Sequence, residues 1–276
     1  MDQDMVKFLN YQLKTYEGLN KLIVQTKNRL AALNQDMDPK HNDFLNGSVS
    51  GRTKKIGVEQ IKERLSREIE KGLATFDIWT DWLDRVPGIG PYTGGSLILL
   101  YYYAFMPECP KCGGVEIEKD KGLTCNTCGH QIKDGCLSHK LVAREFRTVS
   151  SWWSFLGLHT VDGVKPKRQK GKPANWSARG RQISWQIGEG FVKCGADHPY
   201  RQLYDQRKAR HQRKNPDWTK GHCHNAAKNE AVKIFQSHFW HVARSLAGLS
   251  TEGPYAQDVL KHNHIIPPYF WEPSSS

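Results

Sequence analysis

Four cysteines fall in two pairs: Cys109-x2-Cys112, twelve intervening residues, then Cys125-x2-Cys128. Thiolates two residues apart sit on one tight turn, and each pair is followed by a glycine, Gly113 or Gly129, that lets the turn close. Two such knuckles supply a tetrahedral sulfur shell, and the chemistry expected of it is one zinc ion. With cysteine at all four positions no coordination site is left for a reactive water, so the expected metal is structural. His130 and His139 lie nearby and are read as bystanders. A looser group, Cys194 and His198 before one helix and His222, Cys223 and His224 at the start of another, would hold a second ion only if those helix ends met. His238 and His241, three residues apart, are read as a packed or solvated pair rather than as ligands.

The second feature is Val86-Pro87-Gly88-Ile89-Gly90, preceded by Leu83 and followed by Leu97 and Leu100. It reads as a tight hairpin between two helices, with Ile89 plugging the gap. Gly88 and Gly90 lack side chains, so their amides at a helix N-terminus are placed to meet a phosphate oxygen. Such a contact is blind to base sequence. A purely structural helical corner is the alternative. A dinucleotide loop is disfavoured, because a helix rather than a strand precedes the glycines.

Charge supports the phosphate reading. The 276 residues carry 40 Lys and Arg against 28 Asp and Glu, a formal +12, with an apolar fraction of 38%. Between Lys165 and Lys220 there are 15 basic residues against four acids, Glu189, Asp197, Asp205 and Asp217, a net +11. A solvated face normally mixes signs, whereas this segregation points to a nucleic-acid surface. The candidate contacts are Gly88, Gly90, Lys165, Lys167, Arg168, Lys170, Lys172, Arg179, Arg181, Arg207, Lys208 and Arg210. Trp176 and Trp185 are able to stack bases, although Trp185, grouped with Ile183 and Ile187, is expected in the core. Strand chemistry would need carboxylates converging on paired ions, or an activated nucleophile. Asp77, Asp81 and Asp84 are the acidic candidates, and Ser177 beside Arg179 and Arg181 is the nucleophilic one. None forms a convincing centre, so catalytic residues stay unassigned.

The elements that must position these groups are mostly helical. Val6, Leu9, Leu13, Tyr16, Ile23 and Leu30 follow a heptad over residues 6–34, with Asn20 and Lys27 interrupting the seam. That helix is either a coiled-coil arm joining two protomers or half of an intramolecular hairpin. Its partner would be a second helix from Gly57 toward Arg85, with Gly72 as the place for a bend. His41 to Lys55 reads as a flexible loop. Strands are expected at Val115–Glu118 and Gly122–Thr124 inside the cysteine region, and core at Leu141–Leu158 with Phe146, Trp152, Trp153, Phe155 and Leu156. Helices are expected at 178–196, 200–214 and 223–248, followed by an extended aromatic tail, Pro267 to Trp271. The expected fold is mainly α: a long N-terminal helical hairpin or coiled coil, a helix-hairpin-helix core and an inserted small β zinc ribbon. Its divisions are 1–79, 80–250 with the ribbon at 107–131, and a tail at 251–276. The remaining cysteines, Cys136, Cys194 and Cys223, suit a reducing interior. Met1-Asp2-Gln3-Asp4 opens with acids rather than a basic leader, and Ser96–Met106 is too short to span a bilayer. A soluble, cytoplasmic or nucleoid-associated protein with no membrane partner is expected.

The order of these segments resembles the C-terminal helical domain of the IS110-type transposases. The likeness runs from Leu83-x2-Val86-Pro87-Gly88-Ile89-Gly90-Pro91-x-Thr93 through Ser151–Leu158, with its Gly157-Leu158 step, to Arg179-Gly180-Arg181-Gln182-Ile183-Ser184. It continues through Tyr200-Arg201-Gln202-Leu203-Tyr204 and the helix from Asn225 to Leu246, covering about residues 80–248. The family pairs this domain with an RNase-H-like domain bearing four acidic ligands, and uses a serine after the Gly-Leu step. Here about 80 helical residues stand in place of that domain, and Val161 to Lys165 contains no serine. The resemblance therefore implies DNA-binding architecture with its chemistry absent or altered. The expected function is a non-catalytic, zinc-containing DNA-binding protein of mobile-element or viral ancestry, homodimeric through its N-terminal helices. A transposase, recombinase or nuclease, or an RNA-binding adaptor, is the alternative.

Overall fold

The structure, a computed structural model, describes residues 2–32, 39–50, 53–118, 123–133, 138–161, 164–172, 174–251 and 266–271. Helix α1 (Gln3–Ala32) is followed by a short α2 (Pro39–Asn46), a hairpin of β1 (Ser48–Ser50) and β2 (Thr53–Lys55), and α3 (Val58–Leu73). The polar stretch read as a loop thus holds a helical turn and a hairpin. Its anchor is Leu45, buried against Ile23 and Val58.

The seam of α1 is spent inside the chain. Val6, Leu9 and Leu13 are buried with Ile69 and Leu73 of α3, and Tyr16 packs at the edge of the same core. The two polar residues interrupting the heptad also find partners on α3: Asn20 Oδ1 accepts from Lys62 at 3.2 Å, and Lys27 pairs with Glu59 at 2.6 Å. Of the two geometries that the heptad allows, the described residues hold the intramolecular one.

The second helix does not continue to Arg85. It stops at Leu73, and α4 (Asp77–Asp81) and a single 3-10 turn (Leu83–Arg85) follow. On one continuous helix Ile78 and Trp82 would project away from the face that carries Ile69 and Leu73. The break lets Phe76, Ile78, Trp79, Trp82 and Leu83 all enter the core. Helix α5 (Pro91–Tyr102) then runs through the middle of the molecule, buried from Gly94 to Leu99 and at Tyr101. Gly94 and Gly95 allow this: a Cβ on Gly94 would lie 2.4 Å from the Trp79 ring, and one on Gly95 would lie 3.3 Å from Leu13 and Leu73.

Strand β3 (Tyr103–Glu108) leaves α5 directly and pairs antiparallel with β7 (Ser138–Ala143), Tyr103 opposite Ala143 and Glu108 opposite Ser138. This two-stranded stalk carries a three-stranded sheet of β4 (Ile117–Glu118), β5 (Leu123–Cys125) and β6 (Gln131–Ile132). The stalk was not anticipated from sequence; the small ribbon at its tip was. Helices α6 (Val149–Phe155), α7 (Ala178–Lys193), α8 (Pro199–Lys214) and α9 (Lys220–Leu246) complete the mainly helical fold. Thr148, Ser177 and Thr219 cap three of them, each side chain accepting from a backbone amide three residues on. Along α9, Phe235 stacks on Trp82 and Phe239 on Trp152, while the Trp152 and Trp240 indoles donate to Gln236 Oε1 and the Phe146 carbonyl.

The aromatic tail docks on its own chain. The Trp82 indole donates to the Pro268 carbonyl at 2.8 Å, the Tyr269 hydroxyl donates to Asp81 at 2.6 Å, and Phe270 meets Tyr200 and His198 edge-on. No described helix is long and apolar enough to cross a membrane.

Candidate metal centre and nucleic-acid interface

The two cysteine knuckles are built alike. In each, the first cysteine's amide donates to a carbonyl five residues on, Cys109 to Gly114 and Cys125 to His130. The glycine after each pair returns its amide to the first cysteine's carbonyl at 2.9 and 2.8 Å. That closure needs φ of +71° at Gly113 and +68° at Gly129, a region that glycine reaches without steric cost. All four sulfurs lie within 4.8 Å of one another, with Cys109–Cys128 at 3.8 Å and Cys112–Cys125 at 3.6 Å. A tetrahedron of sulfurs about 2.3 Å from a central ion has edges of about 3.8 Å. A disulfide would bring two of the sulfurs to about 2.05 Å; all four cysteines are free. The four thiols can therefore hold one metal ion. Burial opposes ionisation of Cys125, while the amides of Cys128 and Thr127 and the thiols of Cys112 and Cys109 together bring its pKa down to about 6. Among the described residues the ribbon has little else to fold around: Ile132, with Ile117 and Leu123 at its margin, is the apolar complement of the buried cysteines.

The looser His and Cys group is not a second centre. Among the described residues the four ribbon cysteines are the sole cluster with metal-ligand spacing. Cys194 donates to the Gly190 carbonyl, His198 is buried against Phe191 and Tyr200, His222 stacks on Trp218 at 3.9 Å, and Cys223 is buried. His238 is packed, as expected: its Nδ1 lies 2.6 Å from the Tyr200 hydroxyl, and burial pushes its pKa down to about 3. Cys136 lies outside the described residues. Asp77, Asp81 and Asp84 do not come together as a metal site, and the Ser177 hydroxyl caps α7 by accepting from Gly180 at 3.0 Å.

Val86 and Ile89 anchor the hairpin in the core. Gly88, at φ +90°, lies against α7 backbone to backbone: a Cβ on Gly190 would come within 2.6 Å of the Gly88 carbonyl oxygen. The two candidate amides differ in what they have left to offer. Gly90 donates to Thr93 Oγ1 at 3.1 Å, while the exposed Gly88 amide has no hydrogen-bond partner among the described residues.

The basic candidates separate into two groups. Four are tied inward. Arg179 bridges Glu17 of α1 at 3.0 Å; Arg181 donates to the Gly157 and Pro166 carbonyls and stacks on Trp176 at 3.9 Å. Arg207 pairs with Glu230, and Lys165 donates to Asn229 Oδ1 at 2.7 Å. Burial, then the charges of Arg181, Lys233 and Lys228, bring the Lys165 pKa down to about 8. The other group faces outward: Lys167, Arg168, Lys170 and Lys172 on one loop, and Arg210 in the last turns of α8 beside Arg213 and Lys214. Lys208 lies over the Tyr204 ring at 5.5 Å. Trp185, expected in the core, is 56% exposed.

Compared with known proteins, the chain is matched by no family model, no curated protein and no solved structure.

Proposed function

We propose that this protein binds DNA along the phosphate backbone, holds a structural zinc ion in its four-cysteine ribbon and carries out no strand chemistry of its own. The observation that carries the DNA reading is the outward group of cations. Lys167, Arg168, Lys170, Lys172, Arg210, Arg213 and Lys214 are exposed and have no acidic partner among the described residues. A single-sign surface repels itself, and phosphates relieve that repulsion while releasing their counterions. The unspent Gly88 amide adds a fixed, sequence-blind contact. Zinc is the metal that four thiolates in tetrahedral array suit best. The likeness in segment order to the IS110-type transposases supports descent from a mobile-element DNA-binding domain.

The test is binding of a labelled duplex across a salt series. Alanine at Lys167, Arg168 and Lys170 together should lower the slope of log K against log salt by up to about three. All duplex sequences should weaken alike. An unchanged slope removes the loop from the interface and with it the observation on which the reading rests. Cleavage of the duplex in Mg²⁺, abolished by Asp81→Asn, would place the protein among enzymes instead.

A further inference from the structure

Trp185 stands apart from the other eight tryptophans, which are buried or half-buried; it exposes more than half its surface. Lys228 reaches across from α9 with its ammonium 5.0 Å from the Trp185 ring centroid and ion-paired to Glu189, one turn further along α7. Lys228 is itself 96% buried, since 4% of it is exposed. Gly188 makes its path: a Cβ there would come within 2.7 Å of Lys228 Cγ. The indole is thus braced from beneath, with the rest of its surface turned to solvent. Arg181, one turn before Trp185 on α7, lies over the Trp176 ring at 3.9 Å, and Lys233 of α9 lies over Trp153 at 4.9 Å. Lys165 lies close enough to Arg181, Lys233 and Lys228 for their charges to disfavour its own, an accumulation that a bound anion would relieve. Glu189, the acid on this face of α7, is already paired.

We infer that Trp185 is the stacking platform for an unpaired base of a single strand. An exposed flat ring within a segment, Lys165 to Lys220, of net charge +11 matches a polyanion with flat apolar faces, which is a single strand; in a duplex the base faces are already stacked on one another. The inference rests on the nucleic-acid reading above and adds to its backbone contacts one with an unpaired base.

The experiment compares the full-length protein with Trp185→Ala and Trp185→Phe, using a labelled single strand of about 15 nucleotides and the duplex of the same sequence. Melting temperatures are measured on the same samples. Trp185→Ala should weaken the single strand roughly tenfold, Trp185→Phe should retain most of the affinity, and the duplex should change by less than about twofold. Equal loss on both ligands with a lowered melting temperature would make the ring a structural prop and overturn the inference. No loss on either, with wild-type binding intact, would also overturn it and assign the ring to a protein contact, leaving the backbone reading standing. Absence of binding by the wild-type protein to both ligands would remove the two together.

Discussion

Replacing one ribbon cysteine leaves three sulfurs where the geometry is set for four. Cys112→Ser should lower bound zinc from one equivalent to a small residue by metal analysis. It should also open 109–132 to proteolysis, because Ile132 and its two neighbours are too small a core to hold the ribbon alone. At Gly190 the constraint is steric. Alanine there would place a methyl 2.6 Å from the Gly88 carbonyl oxygen, and the hairpin would have to lift from α7. We expect a loss of about 1–3 kcal/mol in urea unfolding, together with weaker duplex binding. The cysteines were legible in the sequence because a metal dictates ligand spacing locally. The division of the basic residues was not, since the groups that occupy Arg179 and Lys165 lie 162 and 64 positions away. Trp185 was readable in principle. Ile183 and Ile187 are each two residues from it, a step of about 200° around a helix, and so lie on the opposite face.

Among the elements, α7 does most to arrange the candidate surface: its backbone receives the hairpin at Gly190, its first turn holds Arg179 and Arg181, and its outer face carries Trp185. Its start is fixed by the Ser177 hydroxyl on the Gly180 amide. Ser177→Ala should cost about 1 kcal/mol in chemical denaturation, as loss of a cap does. Ser177→Thr should restore most of it. The long helices were legible from periodicity, α7 to α9 nearly to their ends. The stalk was not: Tyr101-Tyr102-Tyr103 passes from helix to strand with no breaker, and the partner strand begins only at Ser138. Aromatic residues serve either state, so only the distant partner decides. The break after Leu73 was signalled by Gly72 alone, which marks a bend but not a stop; beyond it Trp79 and Trp82 turn toward a core assembled later in the chain.

At the scale of the whole molecule, the α1 seam gives a prediction about association. If Leu13 packs on Leu73 within one chain, Leu13→Asp should lower the melting temperature by the same amount at every protein concentration. A pairing of protomers through that seam would make the midpoint rise with concentration. A second whole-molecule property is acid sensitivity. Burial, with His241 adding to it, pushes the His238 pKa down to about 3, while the unfolded chain takes that proton near pH 6.5. The unfolded state therefore binds more protons between those values. Stability is full above about pH 6.5 and falls as the pH drops toward 3. His238→Gln should flatten that limb of urea midpoint against pH. The docked tail has a consequence in time as well as in space. Trp82 meets the carbonyl of Pro268, 186 residues further along, and His238 shares a backbone hydrogen bond with Ile266. During synthesis the N-terminal helices emerge and pair long before either partner has been translated. Until then the indole N–H at the centre of the core has no protein acceptor, and the ribosome carries a chain whose interior is still open to chaperones. Closure is expected as a late, discrete event, which pulse-labelled nascent chains stalled behind C-terminal linkers that keep residue 271 inside the exit tunnel or carry it clear would resolve as a step in protease resistance.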